Sequence, residues 1–96
     1  MTRTEHLLTI LGEECAEVAQ RASKALRFTL QDVQPGQSLS NADRIMLEYA
    51  DLCAVIDMLC DEGLLEIGGD FAALVAAKKQ QVEHYLKYSA VLGATS

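Results

Sequence analysis

The stretch LLTILGEECAEVAQRASKALRF, residues 7–28, decides how this chain folds. Its apolar residues recur at Leu7, Leu11, Val18, Ala22, Ala25 and Leu26, the spacing of one face of an α-helix. The pattern predicts one helix from about Arg3 to about Phe28. On a wheel of about 100° per residue with Glu14 at zero, Leu7, Leu11, Val18, Ala22 and Ala25 all lie within about 80° of it. A carboxylate therefore occupies the middle of a stripe built for a core, with Glu17 one turn on at its flank and Glu13 further out.

Downstream, QDVQPGQSLS (residues 31–40) holds the only proline, Pro35, and reads as a connection rich in turn formers. Ser40 or Asn41 can cap a second helix, with Asp43 completing a capping-box-like start. That helix carries Ile45, Leu52, Val55, Ile56 and Leu59 on one face and should end near Gly63. A third helix, capped by Asp70, carries Phe71, Leu74, Val75, Val82, Tyr85 and Leu86 and fades towards Gly93. No alternating run of β-branched residues competes. The expected fold is all-α, with three main helices in a single domain over residues 1–92 and a tail at 93–96.

Glu48 repeats on the second helix what Glu14 does on the first. Ile45, Leu52, Val55, Ile56 and Leu59 surround it, and Asp51 lies one turn on at the flank. Carboxylates on a core face are costly unless they keep their protons or gain cations. Hard divalent ions take oxygen ligands, so Glu14, Glu17, Glu48 and Asp51 facing one another across a bundle would make a Mg²⁺ site. The plainer alternative pairs Arg21 with Glu17 and Arg44 with Glu48, four residues apart on solvated faces.

The third helix has the opposite misfit. Lys78 lies within about 80° of its apolar residues, and Lys79 sits at the edge. Lys78 can carry its head out to water, or point at the acids or at a phosphate held there. Both histidines fail the Glu-x-x-His test for a di-iron bundle, because Arg3 precedes His6 and Gln81 precedes His84 by three residues. No GxxxxGK[ST], GxGxxG or HExxH motif occurs.

Composition agrees with a metal site. The 96 residues include 8 basic and 14 acidic ones, a formal charge of −6. Such a surface does not suit a nucleic-acid polymer, whose binders need a basic face. It leaves room for a small nucleotide held through cations. Setting the four site acids aside leaves ten acidic against eight basic residues, an ordinary surface. Cys15, Cys53 and Cys60 fit no metal or redox motif and read as small core residues in a reducing compartment. The first ten residues, MTRTEHLLTI, form neither a signal peptide nor a membrane span, and a cytoplasmic protein is expected. The second helix is apolar around much of its circumference, Cys53 and Cys60 lying roughly 90° or more from its main stripe. Half of the residues are hydrophobic, more than a short three-helix chain can cover, so a homodimer or homotetramer completing a helical bundle is expected.

The order EECAE (Glu13 to Glu17) and then EYAD (Glu48 to Asp51) resembles the EExxE and ExxD motifs of the MazG-like, all-α nucleoside triphosphate pyrophosphohydrolases. ASKALRF, DLCAVIDML and KKQQVEHYLKYS are like the flanking segments of compact members, and the likeness spans roughly residues 5 to 92. The 30 residues between Glu17 and Glu48 make a longer connection than many members have. The resemblance implies a four-helix-bundle-like fold shared between chains. It also implies Mg²⁺-dependent, or Mn²⁺-dependent, cleavage between the α and β phosphates of a nucleoside triphosphate. By motif, Glu14, Glu17, Glu48 and Asp51 would hold the metal, and Glu13 would act as a base or partner the metal-holding acids. Lys78, Lys79, Arg21 and Lys24 would steady phosphate charge. The competing expectation is a non-catalytic helical oligomerisation or regulatory protein with ion-paired acidic faces, and a third is a nucleotide-binding relative without turnover.

Overall fold

The computed structural model describes residues 1–93 and contains three helices: α1 (Arg3–Phe28), α2 (Asn41–Asp61) and α3 (Phe71–Val91). Each begins on a side chain suited to the task. Thr2 Oγ1 accepts from Glu5 N at 3.1 Å while Glu5 returns its carboxylate to Thr2 N. Ser40 and Asp43 exchange the same two bonds, each 3.1 Å, which fixes Ser40 as the cap. Asp70 accepts from Ala72 N and Ala73 N. Caps of this kind contribute about 1 kcal/mol each.

The ends are equally defined. After α2, Gly63 takes φ +73°, its N–H donates to Cys60 O, and Leu64 N donates to Leu59 O at 3.0 Å. That is a Schellman ending, which needs a left-handed residue where a Cβ would be strained. α1 stops differently, at Thr29, whose φ of 78° and ψ of 159° are unusual for a residue with a side chain.

The chain forms two compact units, Met1–Leu65 and Glu66–Ser96. In the first, α1 and α2 run antiparallel as a helical hairpin: Arg3 at the start of α1 pairs with Glu62 after α2 at 2.9 Å, and Thr29 meets Asn41 at the other end. The core lies towards the Arg3–Glu62 end, where Leu7, Val55 and Leu59 are buried and Ile10 and Leu11 pack against them. Burying each such side chain is worth about 1.5–3 kcal/mol. The connection at the other end is ordered by its own bonds. Gln37 N donates to Gln34 O at 3.0 Å around Pro35-Gly36, with Gly36 at φ +80°, which is a type II turn. Val33 and Ser40 form an antiparallel bridge, and Asn41 N and Ala42 N return to Asp32 O and Leu30 O.

The second unit is α3, and no residue of that helix is buried. Phe71, Leu74, Tyr85 and Leu86 are all about half exposed. The cysteines correct one expectation: Cys15 is exposed, and Cys53 and Cys60 are only half-buried. Cys15 follows Glu14 and is therefore turned about 100° from the face that meets α2. No described helix is long and apolar enough to cross a membrane.

Candidate metal centre

Antiparallel pairing sets the middle of α1 against the first half of α2. Because Glu14 shares a face with Leu7 and Leu11, the contact that buries those leucines also turns Glu14 towards α2. Glu48 and Asp51 answer from the facing turns, sharing the stripe that buries Val55 and Leu59. One carboxylate oxygen from each of Glu14, Glu48 and Asp51 lies within 4.8 Å of the others. Glu14 and Glu48 are half-buried and Asp51 is exposed, so the trio opens to solvent on the Asp51 side.

Glu14 is the most constrained member. Its Oε2 is buried with no hydrogen-bond partner. Burial, followed by the negative charges of Asp51, Glu48, Glu17 and Glu13, raises its carboxyl above the usual value. A cation among these oxygens would offset the repulsion of the neighbouring acids and favour the charged form of Glu14 despite its burial. Bonds of about 2.1 Å to an octahedral Mg²⁺ would set neighbouring oxygens about 3 Å apart and opposite ones about 4.2 Å, so the three carboxylates would have to draw closer to share one ion.

Of the four expected ligands, three meet. Glu17, half-buried one turn along α1, is close enough to act on the Glu14 carboxyl but is outside the trio. Glu13 is exposed at the rim and acts on Glu14 in the same way. The intrahelical ion pairs of the plainer alternative do not form among the described residues, and both arginines have other partners. Arg21 reaches across to α2, its Nε 3.9 Å from Glu48 Oε1, with both side chains largely buried. Arg44 instead donates to Gln37 Oε1, holding the connection to α2. Arg21 Nε is buried without a hydrogen-bond partner, so it attracts Glu48 without bonding it.

Lys24, half-buried, lies one turn beyond Arg21 and lines a cleft with Phe28, Asp32, Gln34 and Pro35. Lys78 and Lys79 belong to the second unit, where both are exposed and Lys78 Nζ donates to Gln81 Oε1 at 3.0 Å. Sequence reasoning missed Asn41 as a structural residue. It is fully buried, and its Nδ2 donates to Thr29 O at 2.8 Å, tying the end of α1 to the start of α2. Its place beside Ser40 signalled a cap, which gave no hint of this second bond.

Compared with known proteins, the chain finds no match: no family model, curated protein or solved structure pairs with it.

Proposed function

We propose that this chain is a Mg²⁺-dependent nucleoside triphosphate pyrophosphohydrolase of the MazG-like kind, cleaving a dNTP or non-standard NTP to monophosphate and pyrophosphate in nucleotide-pool housekeeping. The observation that carries the reading is Glu14, which has a buried, unpartnered oxygen and stands with Glu48 and Asp51 in one acid trio. In this reading Glu14, Glu48 and Asp51 hold Mg²⁺, for which Mn²⁺ can substitute, and Glu17 joins them by a side-chain rotation. The bound ion would offset triphosphate charge and make a water more acidic. Glu13, at the rim, is placed to take a proton from solvent-side water. Arg21 stands beside the trio as a fixed positive charge for phosphate oxygens. Lys24 is the next cation along α1, and Lys78 and Lys79 are the phosphate-binding candidates of α3.

The same reading places the protein in the cytoplasm as a homodimer or homotetramer. Its support is the apolar surface of each unit: on α2, Met46 is 61% and Leu47 52% exposed, and on α3 no residue is buried. That surface equally favours the second reading, a helical oligomerisation or regulatory protein without catalysis. Turnover separates the two. Purified protein should release pyrophosphate from a (d)NTP only with Mg²⁺ or Mn²⁺, and Glu48→Gln or Asp51→Asn should abolish release. Folded wild-type protein with no turnover of any (d)NTP at millimolar Mg²⁺ would sink the enzyme reading. Nucleotide binding without turnover would point to the third expectation, an inactive relative.

A further inference from the structure

Beyond the acid trio, one face of α1 continues to a second feature. Glu14, Arg21 and Phe28 are spaced by seven residues, so each is turned only about 20° from the last. Arg21 and Phe28 stand two turns apart, about 10 Å along the axis. A ribose with a phosphate at one end and a base at the other spans a separation of that order. At the Phe28 end lies a cleft of about 450 Å³ lined by Lys24, Phe28, Asp32, Gln34 and Pro35, within the size range of small-molecule sites.

Its walls have the chemistry of base recognition. Phe28 is half exposed, lines the cleft, and has the Arg27 guanidinium 5.2 Å from its ring centroid. Nucleobases stack on such rings whatever their edges carry. Asp32 and Gln34, both half-buried, supply the polar groups. An ionised carboxylate only accepts hydrogen bonds, so it favours a base edge bearing an amino group, while the glutamine amide both donates and accepts.

The wall is also built in advance. Asp32 O accepts from Asn41 N, Gln34 O accepts across the Pro35-Gly36 turn, and Asn41 anchors Thr29. Thr29 holds φ +78° at the hinge between Phe28 and this wall, a conformation that side-chain-bearing residues adopt at a cost. A connection so fully bonded loses little freedom when a ligand enters.

We propose that this cleft is the base subsite for the nucleotide whose phosphates the acid trio and Arg21 receive, and that Asp32 makes it favour bases carrying an exocyclic amino group. The inference rests on the pyrophosphohydrolase reading. Its test is calorimetry on the full chain with Mg²⁺ and three probes: the hydrolysis-resistant α,β-methylene analogues of dCTP and dTTP, and inorganic tripolyphosphate, which has no base. Wild-type protein should bind the dCTP analogue at least about fivefold more tightly than the dTTP analogue, and both more tightly than tripolyphosphate. Phe28→Ala should weaken both analogues by about fivefold or more, and Asp32→Asn should erase the cytosine preference. Tripolyphosphate should bind all three proteins equally, which also reports that the variants are folded. Analogues binding no tighter than tripolyphosphate, or a base preference that survives Asp32→Asn, overturn the subsite alone. Tripolyphosphate binding lost in either variant overturns it too, since the residue would then be supporting the fold. Wild-type protein that does not bind tripolyphosphate with Mg²⁺ overturns the metal-site reading and the subsite with it.

Discussion

Arg21 Nε on α1 stands 3.9 Å from Glu48 Oε1 on α2, close enough to attract and too far to hydrogen-bond, with both side chains about five-sixths buried. The guanidinium is thus a resident cation beside the acid trio, offsetting part of the repulsion that Glu14, Glu48 and Asp51 would otherwise feel. Arg21→Ala should lower the stability of the metal-free protein by about 1 kcal/mol, the upper end for pairs that are not fully buried. It should also enlarge the rise in melting temperature produced by Mg²⁺, because the ion then meets acids with no competing charge. Thermal unfolding with and without Mg²⁺ checks both signs. A smaller Mg²⁺ effect in the variant would mean that Arg21 supports the trio without competing for it.

The raised Glu14 carboxyl gives a pH dependence whose sign can be worked out. Burial and the acids around it lift the folded value above the ordinary 4.5, so the folded state binds more protons than the unfolded one across that interval. Stability then falls as pH rises from about the ordinary value through the folded one, and the cost persists at neutral pH. Glu14→Gln should raise the neutral-pH melting temperature of the metal-free protein and remove this part of the slope. In the proposed Mg²⁺ complex the direction should reverse, since an ion bound to the deprotonated trio would stabilise more as pH rises. Unfolding series in pH, with and without Mg²⁺, would show the two slopes.

Much of this arrangement is legible in the sequence, because intrahelical periodicity fixes which residues share a face. Glu14 and Glu48 announce themselves as acids inside apolar stripes, and Ser40, Asp43 and Asp70 announce helix starts by their chemistry. Periodicity carries no information about the register between helices, and the departures arise there. Glu17 and Asp51 look equivalent on their wheels, yet the antiparallel register brings Asp51 into the trio and leaves Glu17 outside it. The same register gives Arg21 a partner on α2 in place of Glu17, its neighbour one turn away. Asn41 is hidden for a related reason: its burial depends on where residues 29–40 fold back, which no local pattern encodes.

Thr29 and Asn41 make that fold-back testable. Asn41→Ala removes the 2.8 Å bond to Thr29 O from a fully buried position, and should cost about 1–3 kcal/mol. Thr29→Gly should act the other way. Glycine adopts φ +78° freely, and the relief of about 1–3 kcal/mol of strain outweighs the roughly 0.5–1 kcal/mol of extra chain entropy it loses on folding. Chemical denaturation of the two variants should therefore move midpoints in opposite directions at equal slope.

Leu59 is the one fully buried aliphatic side chain among the described residues, and it joins α2 to Leu7 of α1. In a core of three buried residues there is little else to relax into the space, so Leu59→Ala should cost about 2–5 kcal/mol. Loss of helicity at ambient temperature, followed by circular dichroism, is the expected extreme. A cost below about 1 kcal/mol would show that the α1–α2 contact contributes little to folding.

α3 poses the converse problem. No residue of this 21-residue helix is buried, and most tertiary stabilisation of a helix comes from packing an amphipathic face. In the oligomer proposed above, its apolar face would meet another copy of the chain. Charging that face at Leu74 and Leu86, now 56% and 47% exposed, separates a contact surface from an ordinary solvated helix. Leu74→Glu with Leu86→Glu should reduce the mass measured by light scattering to that of a single chain and lower the melting temperature. If α3 is solvated in solution, the double variant would keep the wild-type mass and stability to within about 0.5 kcal/mol, as surface substitutions do. Two glutamates buried against another copy would each carry a desolvation cost of several kcal/mol, enough to dissociate an assembly held at micromolar affinity, about 8 kcal/mol.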